Sequence, residues 1–177
     1  MRRKRIWVVA LTAAIGAGAL YTRIARATPA DKFSGTTLAV GRFGKIDVFN
    51  HLVAEADSQF EKHKRNVWLS WQKTKGPSDL YVQANTWQPG GTTGWHTHPG
   101  HSLIIVTAGT VTVYDGDDPD CKPAVYSQGM GFVDPGGDHA HIIRNESDAP
   151  ASTLAVQLIP AGAARRIDLE DPGNCRF

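Results

Sequence analysis

From Asn66 onward the sequence is a succession of short strand-like runs broken by glycine and proline, and this constrains the fold more than anything else in the 177 residues. Val67, Leu69 and Trp71 alternate along the first run, and Leu80–Trp87 carries Tyr81, Val82, Ala84 and Trp87. Gln88-Pro89-Gly90-Gly91 reads as a turn. Leu103-Ile104-Ile105-Val106 is a short apolar run that suits a buried strand, Gly109 marks a tight turn, and Thr110–Tyr114 alternates as the hairpin partner. After the turn Asp115–Pro119, further strands are expected at 124–127, 131–133, 139–145 and 152–159, with Pro160-Ala161-Gly162 ending the series. Many short strands at near-regular spacing argue for an all-β sandwich or barrel. Residues 28–45, with glycines at 35, 41 and 44, read as a loose N-terminal arm. Residues 46–66 fit either a strand with a short helix or mostly loop.

The N-terminus follows a different logic. Arg2, Arg3, Lys4 and Arg5 precede an apolar run from Ile6 to Leu20, and Ala25-Arg26-Ala27 offers a small-x-small cleavage site. That order describes a secretory signal peptide over residues 1–27. The apolar run falls short of the roughly 20 residues that span a bilayer. An uncleaved membrane anchor is the alternative. The division expected is a leader (1–27), an arm (28–65) and a β-barrel with its tail (66–177). The whole chain counts 19 basic and 17 acidic residues, a net +2, but six of the basic residues and no acid lie in the leader. The remainder therefore holds 13 basic against 17 acidic residues, a formal −4. Phosphate-backbone binding needs clustered Lys and Arg, and the modest cluster Lys62, Lys64 and Arg65 does not supply a nucleic-acid surface. A chain with its leader removed is expected outside the cytoplasm of a bacterial cell, with no stable membrane span.

The two cysteines, Cys121 and Cys175, are an even pair in a chain that carries an export signal, which suggests one disulfide pinning the tail to the barrel. Two free thiols are the alternative reading.

The chemistry-bearing residues are histidines. His96-Thr97-His98 places two imidazoles at i and i+2, on one face of a strand. Asp138-His139-Ala140-His141 repeats the spacing, and with His101 five of the seven histidines fall in two short windows. Such clustering points to a metal site. The Asp115–Asp118 stretch lacks the glutamate of a calcium loop and reads as a plain turn. Trp68, Trp71, Trp87 and Trp95 read as core and barrel-mouth packing, with Trp95 also a candidate stacking platform for a ligand.

These spacings resemble the two motifs of the cupins. The first is a glycine, five residues, H-x-H, three or four residues, a glutamate, six residues and a glycine. Gly90, His96, His98 and Gly109 match it, with Ser102 where the glutamate stands. The second is a glycine, five residues, P-x-G, two residues, a histidine, three residues and an asparagine. Gly129, Pro135, Gly137, His141 and Asn145 match it, with one extra residue before His141. The resemblance covers about residues 66–160. It implies an all-β, cupin-type jelly-roll barrel of two antiparallel sheets. It also implies one divalent transition-metal ion (Fe, Mn, Ni, Cu or Zn) held by His96, His98 and His141. Ser102 is a poor ligand, because an alcohol stays protonated near neutral pH. His139 shares a strand face with His141 and His101 sits beside Ser102, so these two are the candidates for acid–base work or extra ligation. Asp134 and Asp138 are candidates to orient a ligand's ring N–H.

Two function classes follow. One is an enzyme, a dioxygenase-like oxidoreductase or a Lewis-acid catalyst acting on a small organic substrate. The other is a non-catalytic barrel that binds a small molecule or carbohydrate. The partner expected is a small-molecule ligand, and pairing into a homodimer is compatible with either class.

Overall fold

The computed structural model describes residues 27–54 and 66–177, all of it strand, turn and loop. The leader call therefore lies outside the described residues, apart from Ala27. The described residues form twelve strands: β1 (Asp31–Phe43), β2 (Asp47–Ala54), β3 (Asn66–Lys73), β4 (Ser78–Thr92), β5 (His96–Thr97), β6 (Ser102–Ala108), β7 (Thr110–Asp115), β8 (Ala124–Ser127), β9 (Gly131–Asp134), β10 (His141–Arg144), β11 (Ala151–Pro160) and β12 (Ile167–Asp168). One layer runs β1-β4-β11-β6-β9, and the other runs β12-β5-β10-β7-β8. Every pairing is antiparallel, and the Arg144–Thr92 bridge joins β10 to β4 and so links the layers into one nearly closed barrel. The all-β jelly-roll expectation stands. β2 and β3 form a separate two-stranded sheet.

The core fills the space between the layers. Trp87, Val106, Val111, Ile143 and Ala151 make one buried cluster, with Phe33, Val113, Tyr126 and Phe132 packed against it. Trp95, Tyr114, Ile142 and Cys175 make a second cluster. Alternation explains which side chains enter. On β6, Ser102, Ile104 and Val106 point inward, whereas Leu103 and Ile105 stand outward, each 53% exposed. The apolar run 103–106 is thus half-buried rather than fully buried, because nothing among the described residues covers the outer face of its layer. Trp87 and Trp95 are core as expected, but Trp68 and Trp71 are exposed. Those two belong to the β2–β3 sheet, on opposite faces of β3, and among the described residues neither is buried.

The N-terminal arm is more regular than its glycines suggest. β1 pairs along β4 from Asp31 to Phe43, with register shifts near Phe33 and Ala39. Arg42 clamps it through paired 2.8 Å hydrogen bonds to Asp79, and this donation, with the Gly162 N–H, holds the Asp79 carboxyl down to about 2.

Local chemistry fixes the connections around the site. Gly109 takes a φ of +67° at the β6–β7 turn, where a Cβ would sit 2.6 Å from the Pro150 carbonyl. Gly136 has a φ of +64°, and a Cβ there would lie 2.4 Å from the Gly100 carbonyl. The β9–β10 loop therefore packs backbone to backbone on the loop after His98, and the Gly137 N–H donates to the His98 carbonyl at 2.7 Å. Asn145 is 1% exposed; its amide donates to the Trp87 and Ala149 carbonyls while its oxygen accepts from Ser147. Its burial and saturated hydrogen bonding explain the asparagine of the second motif.

Cys121 and Cys175 are joined, with Cα atoms 5.3 Å apart. The tail is further held by Asn174, which donates to the Asp115 and Asp118 carbonyls at 2.9 and 2.6 Å. Phe177 packs edge-on to Tyr114 and beneath the Arg144 guanidinium.

Candidate metal centre

The two histidine windows meet inside the barrel. β5 and β10 are neighbours, and their register sets His96 directly opposite His141. Thr97 lies between two inward residues, so His98 follows His96 into the interior. The ring centroids stand 4.2 Å apart for His96 and His141, 4.9 Å for His96 and His98, and 5.5 Å for His98 and His141. One ring nitrogen from each of the three falls within 4.8 Å of the others. All three side chains are buried, at 4%, 8% and 7% exposure for His96, His98 and His141.

Backbone carbonyls set the tautomers. The His96 Nδ1–H donates to the Gly94 carbonyl at 2.9 Å, and the His98 Nδ1–H donates to the Arg165 carbonyl at 2.6 Å. A carbonyl only accepts, so in both neutral rings Nε2 is left bare, the state a metal ligand requires. His141 is different: neither of its ring nitrogens has a hydrogen-bond partner. An orphaned buried imidazole is costly unless something fills its lone pair. The residues present therefore fit a metal ion.

Electrostatics agree. Burial pushes the pKa of all three histidines down from 6.5, reinforced at His96 by the facing His141 and by Arg166. The unfolded chain then binds protons that the folded chain refuses. Each histidine contributes stability that is present above about pH 6.5 and lost as pH falls toward its lowered folded value. The metal-free protein is expected to lose at least about 1 kcal/mol per pH unit on going from pH 6.5 to 5.5, measured by urea unfolding. A flat stability across that interval would contradict neutral burial of the triad.

The position of the first motif's glutamate is filled by Ser102, which is 3% exposed. Gln157 donates to its hydroxyl at 3.2 Å, and that hydroxyl donates to Asp134 Oδ2, also at 3.2 Å. Asp134 reaches the triad: Oδ2 lies 3.4 Å from His98 Nε2, and Oδ1 lies 3.6 Å from His141 Nδ1.

These groups line a narrow cavity of about 60 Å³. At roughly 10–15 Å³ per water, it holds a few waters or one small organic molecule. Trp87, Ile104, Ile143 and Ala155 give it apolar walls, and Gln83, Asn85 and Thr153 add polar ones. Arg165 and Arg166 complete the lining. Arg165 donates to the Gln83 side chain, and Arg166 donates to the Thr93 carbonyl and to Asp168. Neither arginine stands out in the histidine motifs. The signal available was that Arg165-Arg166 is the one adjacent arginine pair after the leader.

His101 and His139 do not line this cavity. His101 faces an outer groove shared with Trp71 and Pro99. His139 is half exposed in the turn before β10 and contacts Asp117 at 3.1 Å and Asp115 at 3.8 Å. The strand begins only at His141, so the i, i+2 parity that would have turned His139 inward does not operate. Asp138, too, is exposed and away from the triad; among the described residues Asp134 is the acid that lines the cavity. Trp95 packs in the core and is no stacking platform.

The cupin domain model matches residues 85–157, a span that includes all three buried histidines and Asp134. No curated protein matches the sequence. Among solved structures, a conserved protein of unknown function from Streptococcus pyogenes is 19% identical, over 47% of this chain and 67% of that one, with a TM-score of 0.40. A sugar phosphate isomerase of the cupin superfamily from Silicibacter pomeroyi is 26% identical, over 46% of this chain and 51% of that one, with a TM-score of 0.39. An uncharacterized protein with a double-stranded beta-helix domain from Klebsiella pneumoniae is 20% identical, over 51% of this chain and 75% of that one, with a TM-score of 0.44. The chain thus spans about half the length of the isomerase it resembles.

Proposed function

Because residues 85–157 make this a cupin-domain protein, we propose that its barrel holds one divalent transition-metal ion on His96, His98 and His141 and acts there on a small organic anion. The observation that carries this reading is the convergence of three buried imidazoles, two with Nε2 freed by a carbonyl and one with both nitrogens unpartnered. A bound ion with open positions would supply Lewis acidity or, as iron, dioxygenase-like oxidation. The chain's own residues do the rest. Arg165 and Arg166 set a positive wall beside the triad, which favours a carboxylate or similar anion. The apolar walls exclude bulk water and orient the rest of the molecule. The export reading belongs here too: the leader pattern and the Cys121–Cys175 disulfide both accord with it.

One observation favours the binding alternative. With His101 and His139 outside the cavity, its described lining offers no histidine beyond the triad for proton transfer. A non-catalytic barrel for a small molecule or carbohydrate has no need of one. The two readings separate on purified, untagged mature protein. Bound metal near one per chain, with oxygen uptake on adding small carboxylic acids, supports the oxidase reading. Bound metal with ligand-induced thermal shifts and no turnover supports the binding barrel. Protein that neither carries nor takes up a transition metal defeats the centre itself.

A further inference from the structure

Asp134 is a 4%-exposed carboxylate at the end of β9, opposite Ser102 in the β6–β9 register. The Gly136 N–H donates to Oδ1 at 2.9 Å, and Ser102 donates to Oδ2 at 3.2 Å. Among the described residues, no lysine or arginine comes within ion-pair range of it; only His98 and His141 do. A buried carboxylate without a counter-charge is costly. The contact with His98 is the informative one. That ring's Nδ1–H is already given to the Arg165 carbonyl, so in the neutral ring the bare Nε2 faces Oδ2 across 3.4 Å. Two lone pairs meet with no hydrogen between them. Asp134 cannot be steering His98 as an outer hydrogen-bond partner, because it touches the nitrogen that would bind metal and not the one that carries the proton. Two ligands each about 2.1 Å from a tetrahedral ion stand about 3.4 Å apart.

Building on the three-histidine reading above, we propose that Asp134 is the fourth metal ligand, a carboxylate delivered from β9 across the strand pair to the space beside Ser102. Ser102 and the Gly136 N–H then act as positioning groups that hold the carboxylate toward the triad. The carboxylate lowers the charge of the centre by one and adds an oxygen donor, which suits Fe(II), Mn(II), Co(II) or Zn(II) better than three imidazoles alone.

The test uses untagged mature protein titrated with Co(II) alone, read by the visible absorption of bound Co(II) and by competition with a chromophoric chelator. Asp134→Asn, nearly isosteric, is expected to weaken Co(II) binding more than the 10–100-fold typical of losing an outer partner and to change the absorption bands. Ser102→Ala, which keeps the carboxylate but removes one hydrogen bond that positions it, is expected to weaken Co(II) binding by about two- to tenfold, well short of the Asp134→Asn loss, and to keep the wild-type absorption bands. Ser102→Glu combined with Asp134→Asn is expected to recover most of the affinity, because side chain 102 adjoins the Asp134 carboxylate. Wild type that binds one Co(II), with Asp134→Asn equal to it in affinity and spectrum, overturns this proposal and leaves a three-histidine centre. Wild type that binds no metal overturns the underlying reading instead. If Asp134→Asn does not fold, the crystal structure of Zn(II)-loaded wild type decides: an Asp134 oxygen at about 2.0–2.2 Å from zinc supports the assignment, and one beyond 3 Å refutes it.

Discussion

His96→Ala and His141→Ala are each expected to strip the bound metal, lowering affinity by well over the roughly 100-fold upper range seen for outer-partner losses, while the barrel stays folded. The two variants should differ once the metal is gone. Removing His96 leaves the Gly94 carbonyl with a second donor, the Thr93 hydroxyl at 3.0 Å, so no buried backbone group is orphaned. Removing His141 deletes two unpartnered ring nitrogens. The relief of that desolvation penalty offsets the cost of the space left behind, and metal-free His141→Ala should lie within about 1 kcal/mol of metal-free wild type. Elemental analysis beside urea unfolding checks both halves. Full metal retention in either variant would refute that ligand, and collapse of both would mean that the histidines serve the fold and not a centre.

Loss of the disulfide should have the largest effect on stability. Cys121 and Cys175 close a loop with a sequence separation of 54. The chain-entropy model assigns such a closure about 4 kcal/mol. Cys121→Ser, Cys175→Ser or the pair together should lower unfolding stability by about that amount, with a fall in Tm on the order of 15 °C. Cys175 is also a core residue beside Trp95, Tyr114 and Ile142, so serine there should cost more than serine at Cys121. Denaturant titration under non-reducing conditions measures the effect. A loss under about 1 kcal/mol would show that the tail is held by Asn174 and Phe177 and not by the bridge.

Much of the fold was legible because β-structure writes its period locally. The alternation at Thr110–Tyr114 and the turns at Gly109 and Asp115–Asp118 needed no knowledge of distant residues, whereas Gln88–Gly91 reads locally as a turn and lies inside the long strand β4. His96 and His98 were legible for the same reason. What escaped depended on which strands become neighbours. Period two says that Trp68 and Trp71 point to opposite faces, but not that β2 and β3 pair apart from the barrel and leave both tryptophans exposed among the described residues. Parity put His139 beside His141, and it failed because the strand starts at His141, two residues too late to include His139. Asp134 was visible as an acid near a motif. Its apposition to Ser102 exists only through the pairing of β6 with β9. Arg165 and Arg166 reach the cavity because the chain after β11 returns to pair with β5, a path no local pattern encodes.

That return has a bearing on biogenesis. His98 is steered by the carbonyl of Arg165, Ile167 and Asp168 hydrogen-bond alongside Thr97 and His96, and the Leu169 amide donates to the Trp95 carbonyl. The ligand-bearing strand is thus shaped by residues synthesised some seventy positions later. A nascent chain halted before residue 165 would own every imidazole yet lack the scaffold that aims two of them. On the three-histidine reading, an ion would find its aimed ligands only after this stretch has docked.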